Sequence, residues 1–489
     1  MSLPQENAAA IAAMFDPEQF RQSGHALIDL LAEQLKTSLA GKGDVIGWRN
    51  PAIEDTRWQQ ALPQAPTLDA DALLAKLKSD ILPNSLAIHH PHNLGHQVAT
   101  PLPLAALCDL VASLTNQAMA VYETGPSATM LERQVIRWLT ALIGWDHADG
   151  VLTSGGAQAN LTALLAARQR SVDWNIWKTG AAGKSLHILA SEHSHYSVSR
   201  AAGIMGLGTD AVIKIATDSQ GRMDMHALVA AHQASVNSGH CVIAVVATAG
   251  CTPTGSIDPL QEIGRYCNAE KLWLHVDGAH GASALLSAEY SSQLQGIALA
   301  DSIVWDGHKL LYMPATVSAV LFREAKNSYA AFAQDASYLF QGDSVQAESF
   351  NVSYRTLECT KRMMALKLWA AFSLYGVQGL GMLVEQAFCS ARIFADKLAA
   401  HAEFELMMQP QTNIVCFRHL QPGLDAAALN EHQVNIRLQI VQSGAFHLTQ
   451  VELHGEIWLR TTLMNPFTTA DDLDELIALI TALANTPAC

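Results

Sequence analysis

Between Pro101 and about Leu374 the chain repeats one pattern, a short and almost purely apolar β-prone run followed by a longer helical stretch. The runs are 187–190 (His-Ile-Leu-Ala), 241–248 (Cys-Val-Ile-Ala-Val-Val-Ala-Thr), 272–277, 302–305 and 318–323. A strand with one wet face alternates polar and apolar residues, and these runs do not. They are expected to lie buried on both faces, in a parallel sheet sandwiched by helices. Open α/β sheets bind ligands beyond the carboxyl ends of their strands. The residues that close each run are therefore the first place to look for chemistry.

Two closures carry it. Leu272-Trp-Leu-His-Val-Asp277-Gly-Ala279-His-Gly ends on an aspartate, and Ser302-Ile-Val-Trp-Asp-Gly-His308-Lys309 ends on a histidine beside a lysine. A His-Lys dipeptide alone is ordinary surface sequence. A strand-end carboxylate followed by a strand-end lysine is the pair that pyridoxal phosphate (PLP) chemistry requires: the amine condenses with the cofactor aldehyde, and the carboxylate pairs with a protonated pyridine nitrogen. Leu152-Thr-Ser-Gly-Gly156-Ala157-Gln158-Ala-Asn160 precedes a good helix former over 161–168. Its glycines allow a sharp turn, and the N–H groups of a helix start bind a phosphate dianion. Such turns are common, and this one gains weight only beside Asp277 and Lys309. In Ser191-Glu-His-Ser-His195-Tyr an imidazole is available to stack on a ring, the plain alternative being a surface loop. Thr248 and Asp258 lie at another strand end, as polar groups for the same rim.

With 489 residues, 49% of them hydrophobic, the chain has material for two to three domains. The expected division is an N-terminal helical segment (1–95), a large PLP-binding domain (96–375) and a small C-terminal α/β domain (376–489). In the first, 20–39 reads as an amphipathic helix, 48–66 as loop and 68–77 as a short helix. A long helical stretch over 361–380 leads to the last, in which 413–418 and 457–463 read as strands and Thr469-Ala-Asp-Asp472 resembles a capping box before an amphipathic helix over 473–483. A formal net charge of −15 argues against nucleic-acid or anionic-membrane partners. There is no apolar run near the ~18 residues of a membrane span, and no basic, apolar leader at the N-terminus. Eight dispersed cysteines without CxxC spacing fit free thiols in a cytoplasmic enzyme.

In order and spacing these motifs resemble the group II PLP-dependent amino-acid decarboxylases, which include glutamate, cysteine-sulfinate, aromatic and diaminobutyrate decarboxylases. The resemblance runs from about His89 to the C-terminus. It implies PLP fold type I, with Lys309 as the Schiff-base lysine and Asp277 on the pyridine nitrogen. Ala279 then packs on the ring, His195 stacks over it, and His308 lies by the phosphate in a turn made of Gly156, Ala157 and Gln158. Tyr338, in Asp335-Ala-Ser-Tyr338-Leu-Phe-Gln341, matches a loop tyrosine that returns a proton to the substrate carbon once carbon dioxide has left. Arg460 matches an arginine that binds a substrate carboxylate, its alternative being a structural role beside the core. His89-His-Pro-His92-Asn-Leu-Gly-His96-Gln97 matches a substrate-pocket segment, with Gln97 on the substrate, and is not expected to hold a metal. One departure puts the pocket's shape in doubt: Gly278 and His280 stand where many relatives carry alanine and an aromatic. The implied activity is decarboxylation of an L-amino acid to a primary amine by a homodimer. The substrate is expected to be acidic or diamino: glutamate, aspartate, cysteine sulfinate or 2,4-diaminobutyrate. A PLP aminotransferase and a non-catalytic regulatory homologue are the alternatives.

Overall fold

In the computed structural model, which describes residues 5–332 and 350–485, eleven strands form two sheets. Strands β1 (Asp149–Thr153), β2 (Leu186–Ser191), β3 (Val212–Ile215), β4 (Cys241–Thr248), β5 (Leu274–Asp277), β6 (Ser302–Asp306) and β7 (Ser318–Phe322) make the large one, ordered β1-β7-β6-β5-β4-β2-β3. Neighbours from β6 through to β3 are parallel, whereas β7 runs against both β6 and β1. The expected mostly parallel α/β architecture is what forms, with one strand reversed. That reversal follows from the short link between β6 and β7, too brief for the helical crossover that parallel neighbours need.

The apolar runs are explained by burial on both sides. Val245, Ala247, Leu274, Val276, Ile303, Trp305 and Leu321 belong to one buried cluster. Their alternates Ala244, Val246, Trp273, Val304, Val320 and Phe322 belong to a second. Side chains one apart on a strand point to opposite faces, so this division is the sheet itself. The helix Gly156–Arg170 covers the second face, with every residue from Ala159 to Ala167 buried. A buried ion pair fixes the edge: Lys361 Nζ bonds Glu132 and the Leu152 carbonyl (2.8 Å), and Glu132 accepts from the Leu152 N–H (3.0 Å).

The second sheet contains β8 (Phe404–Leu406), β9 (Ile414–His419), β10 (Thr449–Leu453) and β11 (Glu456–Thr462), in the order β10-β11-β9-β8. By compactness the chain divides into one unit of His96–Arg418 with Arg460–Pro466, and another of Met1–Gly95, His419–Leu459 and Phe467–Cys489. The second unit holds the helices Pro17–Leu39, Ala426–Ser443 and Ala470–Ala484. The last opens on the expected capping box between Thr469 and Asp472. In the same unit His92 stacks on Phe446 at 3.9 Å and its Nε2 meets Asp472 at 3.0 Å.

Three local readings differ from expectation. Residues 48–66 contain the helix Pro51–Trp58, because Asn50 caps it through the Ala52 N–H and Pro51 fits its first turn. The stretch read as one helix over 361–380 begins at Ala365 and leaves helical geometry at Gly376 (φ 64°) before continuing to Ala399. Strands β1 and β3 were not among the apolar runs: β1 opens on Asp149-Gly150, and β3 has a lysine in its four residues. Among the described residues no helix is long and apolar enough to cross a membrane.

Candidate active site

Because β2, β4, β5 and β6 are parallel, Ser191, Thr248, Asp277 and Asp306 all end at one rim of the sheet. A cavity of about 260 Å³ opens there. Gly156, Ala157, His195, Thr248, Asp277, Ala279, His308 and Lys309, eight of the residues expected from the sequence, line it together.

Asp277 is 5% exposed and closes β5. Its carboxylate accepts from Asn160 Nδ2 (2.9 Å) and from the Ala279 N–H (3.2 Å). Lys309 Nζ reaches Asp306 Oδ2 at 3.2 Å, and His308 Nε2 stands 3.6 Å from the same oxygen. Asp306 in turn accepts from the Ser318 hydroxyl across the β6–β7 pair. The helix that begins at Gly156 brings its N-terminal end to the cavity wall, where Gly156 and Ala157 present the N–H groups that an α-helix leaves unbonded. A Cβ at Gly156 would lie 3.0 Å from Asp306 Oδ1, so any side chain there would push on the Asp306 carboxylate.

His195 Nδ1 lies 2.8 Å from Ser197 Oγ, and the Ser197 N–H also points at it (3.3 Å). Burial lowers the His195 pKa, partly opposed by the charge of Asp277, so the ring is neutral near pH 7. Thr248 Oγ1 is buried at the cavity with no hydrogen-bond partner among the described residues, and so is His280 Nδ1. Orphaned polar atoms at a cavity wall are what a polar ligand satisfies. A strand-end carboxylate, an amine, a helix N-terminus and two unsatisfied polar atoms around one cavity fit PLP.

The remaining expected residues sit elsewhere. The Gln158 side chain donates to Glu358, which also accepts from Ser154 Oγ at 2.8 Å. Gln97 is half-buried and lies two residues before Ala99, whose N–H reaches the His308 carbonyl at 3.4 Å. Arg460 is 5% exposed, and its Nε donates to the Pro253 carbonyl (3.0 Å), one residue beyond Thr252 of the cavity wall. Asp258 accepts from the backbone N–H groups of Thr248 and Met223 (both 2.7 Å), so it braces the end of β4. Tyr338 lies outside the described residues. The glycine at 278 has a cause within this chain, because a Cβ there would lie 2.9 Å from that of Ala282. His280 fills the neighbouring space, fully buried, with Nε2 on Asn413 Oδ1 at 2.6 Å.

Three residues of the site received no role from sequence reasoning: Asn160, Asp306 and His280. All three stood inside the quoted motifs. Asp306 carried a readable signal, a carboxylate closing a buried run three residues before the lysine.

Residues 54–420 match the pyridoxal-dependent decarboxylase conserved domain. The chain belongs to the pyridoxal-dependent decarboxylase family. It is a PLP-dependent amino-acid decarboxylase, a carboxy-lyase. Among curated relatives it is 34% identical to an L-2,4-diaminobutyrate decarboxylase of Rhizobium meliloti (strain 1021), over 94% of this chain and 91% of the relative. It is 32% identical to the cysteine sulfinic acid decarboxylase of Rattus norvegicus, over 80% of this chain and 82% of that one. The crystal structure of mouse CSAD superposes with a TM-score of 0.89 at 27% identity, covering 96% of this chain and 99% of that one.

Two buried histidines contribute to acid stability. Burial holds His275 at about 4 and His280 at about 3, the second helped by the charge of Lys309. An unfolded chain protonates both near 6.5. Below that pH the unfolded state therefore binds protons that the folded state does not. This contribution is complete above pH 6.5 and is lost as pH falls toward 4 and then 3. Chemical denaturation at pH 7 and pH 5 should show His280→Gln losing about 2 kcal/mol less than the parent between the two. Equal losses would mean that His280 is not held neutral.

Proposed function

We propose that Lys309 and Asp277 hold the cofactor at this rim, and that the substrate is an acidic or diamino L-amino acid. The observation that carries the reading is the convergence of Lys309 Nζ, the Asp277 carboxylate and the Gly156 helix start on one cavity. Bound PLP supplies an electron sink for the pair left behind when the α-carboxylate departs as carbon dioxide. The chain's own residues do the rest. Asp277 would pair with the pyridine nitrogen, its carboxylate oriented by the donors Asn160 Nδ2 and the Ala279 N–H. Lys309 Nζ is the amine that attaches the cofactor and yields its place to substrate, with Asp306 as counter-charge for its ammonium form. His195 offers a neutral ring face, Ala279 a small apolar contact, and Thr248 Oγ1 a hydroxyl. Gly156, Ala157, Gln158 and His308 form the phosphate end.

Tyr338 is assigned the proton returned to the α-carbon, on its sequence match alone. Arg460 and Gln97 are assigned to the substrate, Arg460 as the cation for a carboxylate. The substrate class is supported by the activities named for the relatives, diaminobutyrate for one and cysteine sulfinate for another.

The same reading makes the enzyme a cytoplasmic homodimer. An apolar stripe supports the second part: Leu104, Leu107, Leu110, Val111 and Leu114 recur at helical spacing along Pro103–Thr115. All five are exposed, Leu114 by 67%.

Carbon dioxide release should be fastest with one of glutamate, aspartate, cysteine sulfinate or 2,4-diaminobutyrate, and Asp277→Asn should lower kcat on that substrate roughly 10²-fold or more. Parent-like turnover in the variant would reduce Asp277 to a structural residue, and a preference for an aromatic amino acid would overturn the substrate class. Light scattering should give twice the chain mass, falling to one chain mass on Leu107→Glu with Leu114→Glu. An active monomer would contradict the homodimer.

A further inference from the structure

Strand alternation places Trp273, His275 and Asp277 on one face of the sheet, and each is tied into a continuous polar chain within an otherwise apolar layer. Trp273 Nε1–H donates to Ser302 Oγ (3.0 Å), which lies 2.8 Å from His275 Nδ1. His275 Nε2 lies 2.9 Å from Asn160 Oδ1, and Asn160 Nδ2 donates to Asp277 Oδ2 (2.9 Å). The same amide nitrogen donates to Ser197 Oγ (2.9 Å), which meets His195 Nδ1 at 2.8 Å. Asn160, Ser197, His275 and Ser302 are all at most 1% exposed, so water is not an alternative partner.

The two ends decide where the protons lie. An indole N–H only donates, and an ionised carboxylate only accepts. The carboxylate therefore takes the amide nitrogen of Asn160, which leaves its oxygen toward His275. His275 must then carry its proton on Nε2, with Nδ1 accepting from the Ser302 hydroxyl. The reverse arrangement would turn the Asn160 oxygen onto the Asp277 carboxylate. On the other branch, the Ser197 N–H and hydroxyl both point at His195 Nδ1, so that ring also carries its proton on Nε2.

We propose that Asn160 is the positioning residue of this site, orienting the Asp277 carboxylate directly and fixing the proton of His195 through Ser197, with His275 as the donor that locks the amide. The inference rests on the assignment of Asp277 and His195 as cofactor contacts. Burial, which keeps His275 neutral, agrees with its place as a single donor. From Trp273 to Asn160 each donor gives a proton toward Asp277, the second Asn160 hydrogen going to Ser197, so the bonds polarise one another toward the carboxylate.

The test uses the full-length enzyme. Asn160→Asp keeps the shape but sets an oxygen against Asp277. It should raise the Kd for PLP about tenfold or more, the scale of one hydrogen bond to a charged group. His275→Leu should do the same. His275→Gln, whose amide can still donate to the Asn160 oxygen, should stay within about threefold of the parent. Circular dichroism checks that each variant folds. Independently of any variant, nitrogen-15 NMR of histidine-labelled, cofactor-free parent at pH 7 should show His275 and His195 neutral and protonated at Nε2, the signals assigned by their loss in His275→Gln and His195→Gln. A Nδ1 proton or an imidazolium on either ring overturns the proposal, as does an unchanged Kd in folded Asn160→Asp and His275→Leu. A parent that fails to bind PLP would instead sink the assignment of the site, while the NMR result would still judge Asn160.

Discussion

Removing a carboxylate from water costs several kcal/mol unless donors replace the lost hydration. Asp277 is such a group, held at the end of β5 by Asn160 from the covering helix and by its own chain at Ala279. Much of the surrounding architecture follows from serving it. Helix Gly156–Arg170 must lie close over the sheet for Asn160 to reach, and small residues at 159, 163, 166 and 167 allow that approach. The same helix then delivers its N-terminus to the rim. One element thus both orients Asp277 and brings a helix N-terminus, an end suited to anions, to the cavity wall.

A second carboxylate divides the work. Asp306 closes the neighbouring strand and pairs with Lys309, so the two acids at the rim serve different nitrogens. On the proposed assignment Asp277 serves the pyridine nitrogen and Asp306 the amine of Lys309. The reversed strand β7 matters here, because it sets Ser318 beside Asp306 as a donor. Without that hydroxyl the buried Asp306 would be left with Lys309 and the more distant His308 as its partners. This gives the strand reversal a chemical consequence.

Much of this was legible in the sequence, and for a physical reason. Doubly buried strands must be apolar throughout, so β2, β4, β5, β6 and β7 announced themselves, and their closing residues marked the rim. Strand β1 opens on Asp149 and Gly150, and β3 carries Lys214, so neither shows an unbroken apolar run. The reversal of β7 is a matter of pairing, and an apolar run is silent about direction. The helix Pro51–Trp58 was hidden because Pro and Asn read as loop residues until the cap is seen as a cap. In the site, strand alternation in Leu272-Trp-Leu-His-Val-Asp277 already places Trp273, His275 and Asp277 on one face. The partner that unites them, Asn160, is more than a hundred residues away in sequence, and only the packed helix reveals it. Gln158 shows the converse: adjacent to the turn in sequence, its side chain is turned to Glu358.

The central claim is that Lys309 is the amine that holds the cofactor at this rim. Borohydride reduction of the PLP-loaded enzyme followed by peptide mapping tests it directly. The account predicts a single reduced pyridoxyl label on the peptide containing Asp306-Gly-His-Lys309. Label on any other lysine, with Lys309 unmodified, would contradict it.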